Sequence, residues 1–362
     1  MTVWVRPLAV YWEGRLYTQV SIALSEGRPV EITSTPVPDA LPLPGLLSPA
    51  WVNAHTHLEL SHLEGRLASG MGMVAFLKAM GSGRGRAPAE TIYRALSEAC
   101  QEGTTAFVSH QNTPLMPEAI PPNVVVKPLS EYFGLHPRLR RARYHQARKS
   151  GYPLTPHSLY ALSRGLHRIA RRPSSFPKSL HFYESWEEKL WLQEGRGPFA
   201  LFFRKFCRRP YRPPLRKALH RLARRTPALW LVHVCEAPLQ KLHHWLSEIP
   251  NLYLVLCPLA NWYLFRRRPP LSALRNWAHR ILLGTDSLAN SPTLSLWPTL
   301  RHLYQSGWPW EAILQAAADN PRQWISPPPG WALISPLTEE LSLLPQTRAT
   351  GWALSYQAHQ RL

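Results

Sequence analysis

Pro49-Ala50-Trp51-Val52-Asn53-Ala54-His55-Thr56-His57-Leu58-Glu59-Leu60 decides how the rest of the chain is read. A short apolar run enters it, and two histidines stand one residue apart where the run stops. In a β-strand, residues i and i+2 point the same way. His55 and His57 therefore present both imidazoles to one side of a strand end, which suits a metal ion needing converging neutral nitrogens. An isolated H-x-H pair is common and carries little alone, so its weight depends on what the chain sets beside it.

Downstream, apolar strand-like runs alternate with amphipathic stretches. Residues 89–101 read as a helix that Gly103 stops. Buried-strand runs follow at 104–109, 123–129, 154–158, 179–184, 229–234, 252–257 and 280–286, with a helix expected at 158–171. With the run entering His55, that makes eight strands separated by helical segments. The alternation predicts a parallel sheet, and eight units predict a (β/α)₈ TIM-type barrel over residues 48–326. A doubly wound sheet would want a Gly-rich phosphate loop after an early strand, and no G-x-G-x-x-G stands there. Gly81-Ser82-Gly83-Arg84-Gly85 follows a helix-like run and reads as a mobile loop.

Upstream, Trp4-Val5, residues 9–12, 16–22 and 30–33 are β-rich, with turns at Glu13-Gly14 and Glu26-Gly27 and a Pro-rich link over 36–49. Residues 330–335 and 351–355 look like strands again. A small accessory β-domain built from both chain ends, 1–47 and 327–362, is therefore expected.

The formal net charge of +20 comes largely from runs at 138–149, 164–172, 204–225 and Arg266-Arg267-Arg268. Most carry Leu and Ala at helical spacing, so they read as solvated helix faces, and none interleaves aromatics as a nucleic-acid site does. The 37 prolines are spread through connections, indicating stiff loops rather than a disordered tail. No run approaches the roughly 18 apolar residues of a membrane span. Met1-Thr2-Val3-Trp4-Val5-Arg6 lacks signal-peptide character, so a cytoplasmic location is expected. Cys100, Cys207, Cys235 and Cys257 are widely spaced and read as reduced thiols. Nothing in the sequence decides between a monomer and a homo-oligomer.

His55, His57, His181, His233 and Asp286 each sit at or just past the C-terminal end of an apolar run. In a barrel, all such ends open on one face, where active sites are built. Singly, His181 or His233 reads as a core histidine and Asp286 as a helix cap before Ser287. Their joint order, H-x-H, His, His and Asp on strands one, five, six and eight, points to a shared site.

Several segments carry a family pattern: Pro44-Gly45-Leu46 ahead of Val52-Asn53-Ala54-His55-Thr56-His57, then Pro156-His157-Ser158-Leu159-Tyr160, His181-Phe182-Tyr183-Glu184, Val232-His233, Cys257-Pro258-Leu259-Ala260-Asn261 and Gly284-Thr285-Asp286-Ser287. Together they resemble the amidohydrolase superfamily, in the branch of cytosine, guanine and adenosine-type deaminases and triazine hydrolases. The strand-four P-H-x-x-Y motif most resembles that of aminodeoxyfutalosine and adenosyl-thioether deaminases. The chain departs from the pattern at Ala260, where serine is usual, and in a degenerate C-terminal strand segment.

The resemblance implies that His55, His57, His181 and Asp286 ligate one divalent metal, zinc first, with iron or manganese as alternatives. Binuclear relatives supply a lysine from strand four, where this chain has Pro156-His157-Ser158, so one metal is expected. By the same resemblance Glu184 is the proton shuttle, His233 orients the nucleophilic water, Asp286 accepts its proton, and His157 contacts substrate. Glu59 and Asn261 are further candidates, either lining the pocket or supporting the groups that do. The implied activity is hydrolytic deamination of an aminated heterocycle, foremost a 6-aminopurine nucleoside derivative such as aminodeoxyfutalosine. The alternatives are hydrolysis of another ring C–N or C–Cl bond and, from the charge alone, a non-enzymatic basic barrel that binds nucleic acid.

Overall fold

A computed structural model describes residues 2–82, 85–134, 144–205, 211–334 and 350–352. The strands, in chain order, are β1 (Thr2–Trp12), β2 (Arg15–Thr18), β3 (Ser21–Ser25), β4 (Arg28–Thr33), β5 (Leu41–Pro49), β6 (Trp51–Thr56), β7 (Thr104–Gln111), β8 (Val125–Tyr132), β9 (Leu154–Pro156), β10 (Lys178–Phe182), β11 (Leu229–His233), β12 (Leu252–Leu256), β13 (Ile281–Leu283), β14 (Trp331–Ile334) and β15 (Thr350–Trp352). Strands β6 to β13 form two four-stranded parallel sheets, ordered β6-β7-β8-β9 and β10-β11-β12-β13. Their edges approach at two parallel bridges, Thr56 with Asp286 and Ser158 with His181. His181 N–H donates to His157 O at 2.9 Å, and Asp286 N–H donates to His55 O at 3.0 Å.

Parallel strands covered on both faces should be apolar throughout, and β6, β7, β10 and β11 are buried at every residue. The pleat then sorts alternate residues to opposite sides. Val52, Ala54, Trp230, Val232, Val255 and Leu282 pack into one cluster. Their neighbours Trp51, Leu229, Leu231, Leu254, Leu256 and Leu283 pack into another. Each such leucine contributes about 1.5–3 kcal/mol through burial.

Between the strands run α1 (Met73–Ser82) and α2 (Ala89–Gln101), then α3 (Arg164–Ala170), α4 (Trp186–Glu194), α5 (Pro198–Arg204) and α6 (Leu215–Ala223). In α6, Leu219 and Leu222 are buried while Arg216, Lys217 and Arg221 are exposed, as a solvated basic face requires. Of the basic runs, residues 138–143 and 206–210 lie outside the described residues.

A seven-stranded sheet unites the two ends of the chain in the order β15-β14-β5-β1-β3-β4, with β2 paired to β1. Both expected Glu-Gly turns are present, with φ of 46° and 81° at Glu13-Gly14 and 49° and 71° at Glu26-Gly27. Positive φ at both central residues suits a right-twisted hairpin. The expected strand 16–22 is two strands broken at Gln19, whose φ is 56°. The Pro-rich link contains a strand, β5, running parallel to β1. Pro42 and Pro44 are two residues apart, and among the described residues β14 pairs with β5 only from Leu46 onward, so neither missing N–H group breaks a ladder bond there. Of the expected 351–355 strand, residues 353–355 lie outside the described residues.

Three other expectations shift. The helix expected at 158–171 begins at Arg164, where the Ser163 hydroxyl accepts the Leu166 N–H. The strand expected to stop at Leu129 runs on to Tyr132, because Pro128 faces an edge that β9 joins only from Ser130. Helix α1 extends through Ser82, into the glycine-rich stretch read as a loop, whose residues 83–84 lie outside the described residues.

Candidate active site

The strand ends around the site are held in unusual backbone conformations. Tyr183, His233, Val234 and Asp286 have φ of 50°, 75°, 50° and 63°. Non-glycine residues in this region cost energy and persist where the surrounding structure enforces them, often at functional sites. Two local devices place the ligand strands. The Asn53 amide donates to Thr285 Oγ1 at 2.7 Å and Leu294 O at 2.9 Å, tying β6 to the segment that carries Asp286. A Cβ on Gly284 would meet His55 Cβ at 2.8 Å and Cys257 Sγ at 2.9 Å, so only glycine lets the strands come this close.

His55, His57, His181 and Asp286 offer ligand atoms that all lie within 4.8 Å of one another, and all four residues are buried. His57 Nε2 stands 3.3 Å from His181 Nε2. Asp286 Oδ1 stands 3.7 Å from His55 Nε2 and 3.6 Å from His57 Nε2, too far for hydrogen bonds. Neither ring nitrogen of His55 has a hydrogen-bond partner. Buried polar atoms left unpaired but aimed at one point fit a cation at their centre, and the nitrogen-rich set suits zinc. Burial lowers the His55 pKa and lowers that of His181 well below the usual value, so both are neutral, as metal binding needs. Burial pushes Asp286 up, but His55, His57 and His233 outweigh it and hold the carboxylate ionised. The Asn290 amide donates to its other oxygen, Oδ2, at 2.6 Å and orients it.

Glu184, His233 and Asp286 form a second close group that shares Asp286 with the first. Glu184 follows β10 at the start of α4, as its spacing from His181 implied. Burial first, then the nearby carboxylates of Asp286 and Glu188, raise its pKa well above normal. A carboxyl kept protonated near neutral pH can serve as an acid. Burial lowers His233 to about 3, so it is neutral. The Asn261 amide nitrogen stands 3.3 Å from His233 Nδ1, which leaves the proton on Nε2, 3.6 Å from Glu184 Oε1.

A cavity of about 770 Å³ opens above these groups. His57, Glu131, His157, His181, Glu184 and Asp286 form its polar floor, and Met73, Phe76, Leu77, Phe133 and Phe203 line its apolar wall. Glu59 also lines it, but its carboxylate is taken up by Asn112 and Thr113, through two backbone N–H groups, an amide and a hydroxyl at 2.8–3.0 Å. Asn261 is fully buried behind His233 and does not line the cavity. Trp262 is 41% exposed and stacks on Arg268 rather than facing the site.

Sequence reasoning missed two groups. Glu131 stands beside His157, Oε1 to Nδ1 2.9 Å, and beside His181, Oε1 to Nδ1 3.6 Å. It lies two residues past Leu129, where the strand was expected to end. These three residues could also group around a cation, but His181 Nδ1 already donates to His157 O at 2.9 Å and is not free to ligate. His110, at the end of β7, is fully buried against His55 with ring centroids 4.3 Å apart, and neither of its nitrogens has a partner. No spacing motif in the sequence marks either residue.

No protein-family model matches the chain. An adenosine deaminase of Helicobacter pylori is 26% identical over 283 residues, covering 71% of this chain and 67% of that protein. The crystal structure of Helicobacter pylori aminofutalosine deaminase in complex with methylthio-coformycin has a TM-score of 0.74 at 19% identity, covering 96% of this chain and 97% of that one. An adenosine deaminase from Xanthomonas campestris with bound zinc has a TM-score of 0.64 at 17% identity, covering 96% and 89%. A triazine hydrolase and a guanine deaminase share the fold as well. All of these are amidohydrolase-superfamily proteins, which this chain resembles in sequence and in fold.

Proposed function

We propose that the chain is a metal-dependent hydrolytic deaminase acting on an aminopurine nucleoside derivative, with aminodeoxyfutalosine the leading candidate. The observation that carries the reading is the grouping of Glu184, His233 and Asp286 beside the His55, His57 and His181 nitrogens, with His57, His181, Glu184 and Asp286 lining a cavity large enough for a nucleoside. The sequence likeness to an adenosine deaminase supports the reaction class.

In this reading His55, His57, His181 and Asp286 hold one divalent cation, zinc by preference. Such a cation, when bound, lowers the pKa of a water toward about 7 and so makes a nucleophile available at neutral pH. Asp286 would accept a proton from the attacking water. The His233 Nε2–H, fixed by Asn261, orients it. Protonated Glu184 would give its proton to a ring nitrogen as the adjacent carbon is attacked, then relay to the departing ammonia the proton that Asp286 took from the water. His157 meets the substrate, and the apolar wall of Phe76, Phe133 and Phe203 packs against its less polar end. Glu59 acts by holding the Asn112-Thr113 loop at the rim.

The same proposal treats the two parallel sheets as one closed eight-stranded barrel, with the seven-stranded sheet as an accessory unit. The bridges at Thr56–Asp286 and Ser158–His181 support it. It also places the protein in the cytoplasm, consistent with free thiols at Cys100, Cys235 and Cys257. The test is ammonia release by zinc-loaded protein from aminodeoxyfutalosine, adenosine, adenosyl thioethers, guanine and cytosine. Release from a nucleoside with a 6-amino group supports the proposal, and silence with all five overturns it. The triazine hydrolase fold likeness keeps ring C–Cl hydrolysis as the second reading, which product mass would distinguish.

A further inference from the structure

The carboxylate of Glu131 is buried at the end of β8, its side chain 2% exposed, with two imidazoles against it. One of them, His181, already gives its Nδ1–H to the His157 backbone oxygen. The other, His157, brings Nδ1 to 2.9 Å. The oxygen stands off the line of the ring N–H, so the contact rests on charge and proximity rather than a linear hydrogen bond. An ionised carboxylate this close, itself buried, favours the proton on Nδ1. On the far side of the same ring, Nε2 has a long contact of 3.4 Å with the Tyr160 hydroxyl, which a closer substrate donor can replace. The ring is also held in place by stacking on His181, with centroids 4.3 Å apart and planes at 30°. Glu131, His157 and Tyr160 all line the cavity.

We propose that Glu131 is a positioning residue that fixes His157 with its proton on Nδ1, so that Nε2 faces the cavity as a hydrogen-bond acceptor. The substrate group received there is then a donor, a hydroxyl or an amine N–H. The substrate part of this inference rests on the deaminase reading, which sets His157 against the substrate. The tautomer does not. A glutamine at position 131 can offer its amide N–H to Nδ1, and the ring proton moves to Nε2. The cavity then presents a donor where an acceptor belongs. Aspartate keeps the charge and so keeps the tautomer.

The experiment uses the full zinc-loaded chain with ¹⁵N-labelled histidine, the His157 signals being assigned by their loss in H157Q. The wild type and E131D should show His157 protonated at Nδ1, and E131Q should show it protonated at Nε2. Zinc content should be the same in all three, because the His181 Nδ1–H is held by a backbone oxygen. For whichever nucleoside is turned over, E131Q should raise KM about 10- to 100-fold, the usual effect of losing an orienting partner, while kcat stays within about three-fold. Nε2 protonation in the wild type, or one tautomer shared by wild type and E131Q, overturns the proposal. A fall in kcat with KM unchanged overturns it too. Should E131Q not fold, the wild-type and E131D spectra decide. The spectra need no substrate, so failure of every nucleoside to react would remove the deaminase reading and leave the Glu131–His157 assignment to be judged separately.

Discussion

Glu184 Oε1 and His233 Nε2 face each other at 3.6 Å, one raised from the end of β10 and the other from the end of β11. The carboxyl is held protonated and the imidazole neutral, and of the two the carboxyl lines the cavity. In Glu184→Gln the shape is kept and the transferable proton is lost. We expect kcat to fall by about 10²- to 10⁴-fold, with metal content unchanged because Glu184 is outside the ligand set. Equal activity in E184Q would remove the proton-shuttle role.

His57→Ala should abolish both metal and turnover. The His57 imidazole stands between the His181 nitrogen and the Asp286 carboxylate, and its loss opens one side of the cluster. Metal analysis of protein purified from zinc-supplemented medium should give about one zinc per chain for the wild type and close to none for H57A. Full occupancy in H57A would place the metal elsewhere.

Gly284→Ala should couple a stability defect to a loss of metal. The added methyl lands 2.8 Å from His55 Cβ and 2.9 Å from Cys257 Sγ, in a fully buried crossing where neither neighbour can retreat. Overpacking of this kind costs about 1–3 kcal/mol. Urea denaturation and zinc titration should both report it. Unchanged zinc affinity would mean that the strands can part without disturbing the cluster.

Glu188 should make the protein lose stability as pH rises from about 4.5 to about 8. Burial raises its carboxyl to about 8, the Glu184 N–H at 2.8 Å only partly opposing the shift. Between the unfolded value of 4.5 and the folded value of about 8, the folded state holds a proton that the unfolded state has released. Stability is therefore full below the lower value and declines as pH rises through the window, by up to about 1.4 kcal/mol per pH unit. Glu188→Gln keeps an acceptor oxygen and removes the titration. Melting temperatures from pH 5 to 9 should fall less in E188Q than in the wild type, and parallel curves would refute the assignment.

The strand pattern and the positions of the metal-site residues could be read from the chain because period-2 apolar runs and polar residues at their ends are local features. The runs ending in His55, His181, His233 and Asp286 each announce a strand and what it delivers. Even the Glu-Gly hairpins were legible, since the turn demands those conformations. Prolines misled in two places. Whether Pro42, Pro44 or Pro128 breaks a strand depends on which neighbour lies at its edge, and a single strand does not contain that fact. The same limit hid Glu131, whose strand was read as ending too early. It also left open whether Glu59 and Asn261 line the pocket or support it, and Glu59 lines it with its carboxylate engaged by the Asn112-Thr113 loop while Asn261 is turned behind His233. Sequence alone determined which polar residues stand at the strand ends, because residue type and alternation are properties of the chain. Only the tertiary structure decided which of them face the cavity and which hold others in place, because a hydrogen bond between distant strands is set by how the sheets curve toward each other.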